Sequence, residues 1–188
     1  MILLVCGDGH TGGSQAVNQF DCAGGYLSEL PHPENLAASW GRLLSVNLKA
    51  GFDYRAKHTH TNSIILNEAK EWVDSNASTE KILIIQWTNS TDVETEHENI
   101  WQFHLWLAER NIAHIFFNSY GTFSTCANQH DWGVNYITPY EENGTYTARL
   151  KTAGFDTVTN ESPYFGADGH IWWGHFLLKY IIQNKLLS

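Results

Sequence analysis

The chain has 188 residues, a length that suits one ordinary domain, so we expect a single domain over residues 1–188. Its formal charge of -9, from 20 acidic and 11 basic residues without a basic run, argues against a nucleic-acid partner. No apolar stretch approaches the roughly 20 residues of a membrane span, and three cysteines without a CxxC pair argue against a disulfide scaffold.

The chain opens on an apolar run that breaks at once into a glycine-rich segment. Ile2 to Cys6 is continuously apolar, and the sequence Gly7-Asp8-Gly9-His10-Thr11-Gly12-Gly13 follows it. A buried strand that ends in such a turn is typical of the first strand of a parallel α/β sheet. The apolar start carries no positively charged leading region, so we expect a cytoplasmic protein without a signal peptide.

Predicted helices and strands alternate along the rest of the chain. Helical spacing of apolar residues predicts helices over about 34–48, 61–75, 94–111 and 172–187, with a short helix at 147–153. Short apolar runs predict strands over 52–56, 81–87 and 112–117. This alternation predicts a three-layer α/β/α domain around a parallel sheet of four or five strands.

Polar segments follow the predicted strands, where ligands of open α/β sheets bind. These segments are Asp8 to Gly12, His58 to Asn62, Thr88 to Asp92, and Asn118 with Ser119. Acyl transfer needs a nucleophile, a base, a group that orients the base, and donors for the oxyanion. The pair Asp168 and His170 can supply the orienting group and the base, and Asn89 can supply a donor.

Four blocks in chain order carry a resemblance to a known family. They are Gly7-Asp8-Gly9, then Ala56-Lys57 with Asn62 and Ile65, then Trp87-Thr88-Asn89-Ser90, and finally Asp168-Gly169-His170 with Gly174-His175. In this order and strand context, nearly the whole chain resembles the SGNH, or GDSL-type, hydrolases. The resemblance is strongest to the compact members found in phages and marine bacteria.

The resemblance implies a flavodoxin-like fold. It also implies an enzyme that hydrolyses an ester or acetyl group of a small-molecule or glycan substrate and that needs neither cofactor nor metal. It places Gly9 at the nucleophile position and His170 as general base, oriented by Asp168. The oxyanion donors are then Asn89 and the backbone N–H of Gly9. The residues expected to line the site are Asp8, His10, Thr59, Asn62 and Thr88.

The departure at position 9 leaves the activity open, because the family carries a serine there. Gly9 has no side chain, and Ser14 lies too far along the loop to substitute for it without rearrangement. Three interpretations follow: the chain is a natural pseudoenzyme, it carries an engineered inactivating change at this position, or it uses other chemistry. If the mechanism is of the family's type, Gly9→Ser should produce esterase activity. Gly9 can also serve only a tight turn with positive φ.

Two further classes of function remain open from the sequence. Eight tryptophans and eight tyrosines make a non-catalytic binding or assembly protein for a glycan or acyl ligand reasonable. Alternatively, Asp8 with His10 matches the opening ligand motif of metal-dependent phosphoesterases, and His58 with His60 adds two imidazoles. The other blocks that such metalloenzymes require are absent from the sequence.

Overall fold

The structure is a computed structural model, and it describes residues 1–19, 31–57, 59–77 and 80–187. The predicted metal-ligand residue His58 lies outside the described residues.

Four strands and six α-helices alternate along the described chain. The strands are β1 (Ile2–Gly7), β2 (Gly51–Ala56), β3 (Lys81–Trp87) and β4 (Ala113–Asn118). The helices are α1 (Pro33–Ala38), α2 (Trp40–Leu48), α3 (Asn62–Ser75), α4 (Val93–Glu109), α5 (Tyr146–Thr152) and α6 (Ala167–Gln183), and a 3-10 turn covers Glu142–Gly144.

The strands form one parallel sheet in the order β2-β1-β3-β4. In the inner strand β1, Ile2 pairs with Gly51 of β2 on one side and with Lys81 of β3 on the other. The sheet therefore has four strands within the described residues, and the prediction of a parallel α/β sheet is confirmed. Because all strands are parallel, their carboxyl ends meet at one edge.

Helices cover both faces of the sheet, which confirms the three-layer arrangement. On one face α3 and α4 bury residues such as Trp72 and Phe103 against alternate strand residues such as Leu4. On the other face α2, α5 and α6 bury residues such as Trp40 and Trp173. The strands read as nearly continuous apolar runs because both of their faces are covered.

Two helix boundaries differ from the prediction. The segment predicted as one helix over 34–48 is two helices, because Ser39 adopts an extended conformation and its hydroxyl caps α2 by accepting from the Arg42 N–H at 3.3 Å. The last helix begins at Ala167, before the predicted start near 172, so Asp168 and His170 lie inside its first turn. Its apolar spacing becomes visible only further along, where the helix packs against the sheet.

Across the described parts of the chain, none of the helices has the length and apolar character that crossing a membrane requires.

Candidate active site

A compact turn follows β1 and folds the chain back on itself. The N–H groups of Thr11 and Gly12 donate to the Asp8 carbonyl at 3.1 and 3.2 Å, and the Ser14 N–H donates to the Gly9 carbonyl at 2.9 Å. Gly13 has a φ of +75°, which glycine adopts without steric cost and which lets the chain reverse. The turn therefore returns Ser14 to the neighbourhood of Gly9.

The turn is buried and is held from below by the sheet. Asp8, His10 and Ser14 are all less than a tenth exposed. The Asp8 carboxylate accepts a hydrogen bond from the His10 N–H at 3.0 Å, and the Thr11 hydroxyl donates to Gln86 on β3 at 2.8 Å. Backbone and side-chain bonds together fix residues 8–14 as a rigid platform at the carboxyl end of β1.

Crowding by neighbouring side chains, and not backbone conformation, explains the glycine at position 9. Its φ is not in the left-handed region, which corrects the interpretation that a positive φ explains it. A Cβ on residue 9 would lie 2.7 Å from the Tyr164 hydroxyl oxygen, 2.8 Å from Ser14 Oγ and 3.1 Å from Tyr164 Cε1. We call this location the residue-9 Cβ point. Two hydroxyl groups thus stand where a side chain at position 9 would begin.

His10 is surrounded by three tyrosines, a group that we call the His10 cluster: His10, Tyr120, Tyr146 and Tyr164. The ring centroid of His10 lies 4.7 Å from that of Tyr164, 5.1 Å from that of Tyr120 and 5.4 Å from that of Tyr146. His10 Nε2 shares a hydrogen bond with the Tyr120 hydroxyl. The cluster therefore gathers one imidazole and three phenols directly beside Gly9.

Burial and one nearby carboxylate keep two of these phenols protonated. Burial raises the pKa of Tyr120 well above its usual value, and the charge of Asp8 raises it further. The same two causes, in the same order, raise the pKa of Tyr146, and the neighbouring Tyr120 adds to them. The Tyr146 hydroxyl is fully buried and has no hydrogen-bond partner among the described residues. Both groups are consequently neutral hydrogen-bonding groups at ordinary pH.

His170 is held by a backbone amide and is neutral. Its Nδ1 accepts a hydrogen bond from the Trp40 N–H at 3.3 Å. Burial first, and then the neighbouring His10, lowers the pKa of His170 to about 3. With Nδ1 acting as an acceptor, the proton of the neutral ring lies on Nε2. In this arrangement Nε2 can donate a hydrogen bond but has no lone pair with which to accept a proton.

Asp168 and His170 are close in sequence but face different environments. Asp168 is exposed in the first turn of α6, whereas His170 is 1% exposed. Because Nδ1 of His170 accepts from Trp40, it does not donate to the Asp168 carboxylate. The structure therefore does not bring these two side chains together as the predicted orienting pair.

The other predicted site residues form contacts that organise the edge of the sheet. Asn62 is buried and exchanges two hydrogen bonds with Thr88: its Nδ2 donates to the Thr88 carbonyl at 3.0 Å, and its Oδ1 accepts from the Thr88 N–H at 2.8 Å. Asn89 is exposed, and its Oδ1 accepts from the Gly121 N–H at 3.0 Å. Thr59 is exposed. Asn62 thus joins the start of α3 to the end of β3, and Asn89 holds the loop that carries Tyr120.

A cavity of about 740 Å³ lies on the outer side of Tyr164. Its lining includes Gln15, Val17, Val158, Ser162 and Tyr164. The Ser162 hydroxyl donates to Gln15 Oε1 at 2.7 Å, which joins the two segments that form the walls. Tyr164 belongs both to this lining and to the His10 cluster, so this one side chain connects the cavity with the cluster.

Other histidines lie on the face of the sheet that α4 covers. His104 Nδ1 and His114 Nε2 are 2.8 Å apart, and His97 and His130 stack with ring centroids 4.9 Å apart. Burial lowers the pKa of His114 to about 4. Within the described ranges, no three His, Cys, Asp or Glu side chains are grouped so as to hold a metal ion.

The comparisons with solved structures give the fold. A lipolytic-type protein of the G-D-S-L family from Desulfitobacterium hafniense DCB-2 matches with 14% identity over 100% of both chains and a TM-score of 0.56. The psychrotrophic esterase EstA from Pseudoalteromonas sp., inhibited by monoethylphosphonate, matches with 9% identity over 97% of both chains and a TM-score of 0.58. The chain has an SGNH hydrolase-like fold. A structure of TesA matches it with 9% identity over 100% of both chains and a TM-score of 0.54.

At these identities the likeness concerns the SGNH hydrolase-like fold alone. No protein-family model matches the chain, and no curated protein matches it in sequence. The chemistry of this chain therefore depends on its own residues at the carboxyl edge of the sheet.

Sequence reasoning did not single out the three tyrosines of the His10 cluster. Tyr120 directly follows Asn118 and Ser119, the polar segment at the end of a predicted strand, so its place in the sequence indicates a position at the same edge of the sheet. Tyr146 and Tyr164 come from segments far along the chain, and no local pattern places them beside Gly9. Ser14, which the sequence places too far along the loop, is brought back by the turn so that its Oγ lies 2.8 Å from the residue-9 Cβ point.

Proposed function

We propose that this protein hydrolyses an ester or acetyl group of a small neutral substrate at the carboxyl end of β1. The observation that carries the proposal is the pair of hydroxyl groups, of Ser14 and Tyr164, that stand at the residue-9 Cβ point, where the Tyr164 ring lies 4.7 Å from that of His10. Acyl transfer needs a hydroxyl, a proton acceptor and hydrogen-bond donors at one place.

The surroundings of the site favour a neutral substrate. A formal charge of -9 disfavours strongly anionic ligands over the surface as a whole. The cavity beside Tyr164 exposes apolar groups, including Val17 and Val158, which are 60% and 39% exposed. Such a surface suits the acyl or alcohol part of an ester, including an acetylated glycan.

The test is turnover of p-nitrophenyl acetate by the purified protein, with p-nitrophenyl phosphate as the comparison substrate. We expect more p-nitrophenol than protein from the acetate ester and none from the phosphate. His10→Asn should lower the rate by about 10²-fold or more, the usual contribution of a general base. His175→Asn is the matched control, because His175 is exposed on α6, and it should keep the wild-type rate.

Two results would refute the hydrolase proposal. One is a folded wild-type protein that releases no more product than a buffer blank. The other is a His10→Asn variant that is as active as the wild type. Turnover of the phosphate ester in preference to the acetate would favour the phosphoesterase alternative.

A second candidate function is non-catalytic binding of an acyl or glycan ligand. The observation that favours it is the hydrogen bond from the Trp40 N–H to His170 Nδ1, which leaves the predicted pair of Asp168 and His170 unformed. If this candidate is correct, an acetylated sugar or short ester will raise the unfolding temperature of the protein and remain intact. Release of acetate during the same incubation would exclude it.

A further inference from the structure

We infer that Ser14 supplies the attacking hydroxyl that residue 9 lacks. The inference rests on the proposed function, because it names the nucleophile of that hydrolysis. Because the chain reverses in the turn after β1, the side chain of Ser14, five residues further along, lies where a side chain on residue 9 would lie.

The position of Ser14 is set by backbone bonds. The Ser14 N–H donates to the Gly9 carbonyl at 2.9 Å, and the preceding Gly13 has the positive φ that reverses the chain. Ser14 Oγ consequently lies 2.8 Å from the residue-9 Cβ point. A serine at position 9 would carry its own oxygen one bond beyond that point, so the two hydroxyls occupy neighbouring space.

Ser14 is better suited to attack than Tyr164, whose hydroxyl lies equally near. The Tyr164 hydroxyl is attached to a rigid ring that packs against His10 with centroids 4.7 Å apart, so it moves only when the whole ring moves. The Ser14 hydroxyl turns about a single side-chain torsion and can follow a reacting carbonyl. Tyr164 is then a hydrogen-bond donor beside the reacting atoms.

The reaction balances with His10 as the proton acceptor. Ser14 Oγ bonds to the carbonyl carbon of the ester, the carbonyl π electrons move to its oxygen, and the Oγ proton passes to the His10 imidazole. The tetrahedral species collapses, the bond to the alcohol oxygen breaks, and that oxygen takes the proton from His10. Water then attacks the acyl-Ser14 ester, gives one proton to His10, and releases the carboxylic acid as Ser14 regains its proton.

The contacts of His10 suit this role. Its Nε2 shares a hydrogen bond with Tyr120, a phenol that burial and Asp8 keep neutral. This bond fixes the orientation of the ring, as an orienting group does for a catalytic imidazole. The Asp8 carboxylate accepts from the backbone N–H of His10. The charge of Asp8 also raises the pKa of Tyr120, the phenol bonded to His10 Nε2, so a negative charge lies near the ring that would become an imidazolium.

The experiment is labelling with an alkyl fluorophosphonate, followed by fragmentation mass spectrometry to locate the adduct. We expect one phosphonyl group on Ser14 of the wild-type protein. Ser14→Ala should lose the label and lower ester turnover by about 10³-fold or more. Ser45→Ala is the matched control, because Ser45 is an equally buried serine whose hydroxyl donates to the Arg42 carbonyl within α2, and it should keep both label and turnover.

The outcomes separate this inference from the proposed function. Wild-type turnover with the adduct on another residue, or full turnover by Ser14→Ala, would overturn the role of Ser14 and leave the hydrolase intact. An adduct on Ser14 without ester turnover would support the reactive serine and refute ester hydrolysis. Neither adduct nor turnover would overturn both. If Ser14→Ala unfolds, Ser14→Thr keeps a hydroxyl and should retain the label.

Discussion

The crowding around Gly9 predicts the sign of a simple substitution. Gly9 does not have a positive φ, so Gly9→Ala meets no backbone strain of that kind. Were the space open, the added methyl would stabilise the protein by about 0.4 to 1 kcal/mol by restricting the unfolded chain. The structure instead places that methyl 2.7 Å from the Tyr164 hydroxyl oxygen and 2.8 Å from Ser14 Oγ.

The predicted magnitude follows from overpacking. Inserting a methyl into a filled site typically costs about 1 to 3 kcal/mol. The Ser14 hydroxyl can turn away about one torsion, whereas Tyr164 must move its ring, so we expect the lower half of that range for Gly9→Ala, about 1 to 2 kcal/mol. The assay is urea denaturation followed by intrinsic tryptophan fluorescence, with the free energy of unfolding compared between variant and wild type.

A double-mutant cycle assigns the cost to the right contact. Tyr164→Phe removes the hydroxyl oxygen that lies nearest to the new methyl, so Gly9→Ala should cost less in that background by about 0.5 kcal/mol or more. An equal cost in both backgrounds would show that Tyr164 is not the obstacle. A stabilising Gly9→Ala would refute the crowding argument altogether. For the same reason, Gly9→Ser should cost less stability in the Tyr164→Phe background than in the wild-type protein.

Three further predictions concern other parts of the molecule. Asn62→Ala leaves the N–H and carbonyl of Thr88 without their partners and should cost about 1 to 3 kcal/mol in urea denaturation, whereas an unchanged midpoint would show that the link is dispensable. The free energy of unfolding should fall as pH drops below about 6.5, by up to about 1.4 kcal/mol per pH unit for each of His170 and His114. Both stay neutral in the folded protein down to pKa values of about 3 and 4, while the unfolded chain takes up protons below about 6.5. In an NMR titration, signals of either histidine that move near pH 6.5 in the folded state would contradict this. Cys6 is fully buried, and the pKa of its thiol is raised by burial first and by Glu68 next. Iodoacetamide should therefore modify Cys6 only in denaturant, and modification of the native protein would contradict the burial.

The elements of the sheet were predictable because their signal is local. The run from Lys81 to Trp87 is apolar and β-rich between polar segments, and the structure has β3 over the same residues. Alternation of such runs with helical spacing sufficed to predict a parallel sheet with helices on both faces. The break at Ser39 was not predicted, because apolar spacing continues through it while the cap that divides the helices depends on a single hydroxyl.

The candidate site was less accessible from the sequence because its contacts join distant segments. The glycine-rich turn identified the correct edge of the sheet, but its internal bonds decide that Ser14 returns to Gly9. Tyr164 reaches the same point from the other end of the chain, across irregular segments without a periodic pattern. Which nitrogen of His170 carries the proton is decided by the hydrogen bond from the Trp40 N–H of α2. The spacing of residues in the sequence does not reveal this contact.

The bond between Trp40 and His170 also makes His170 part of a helix cap. Trp40 is the first residue of α2, and the N–H groups in the first turn of a helix have no acceptor within that helix. The Ser39 hydroxyl accepts from the Arg42 N–H, while His170 Nδ1, on α6, accepts from the Trp40 N–H. An imidazolium could not accept that bond, and the positive end of the helix would oppose its charge. Protonation of this one buried ring would therefore loosen the start of α2 and its packing against α6 together.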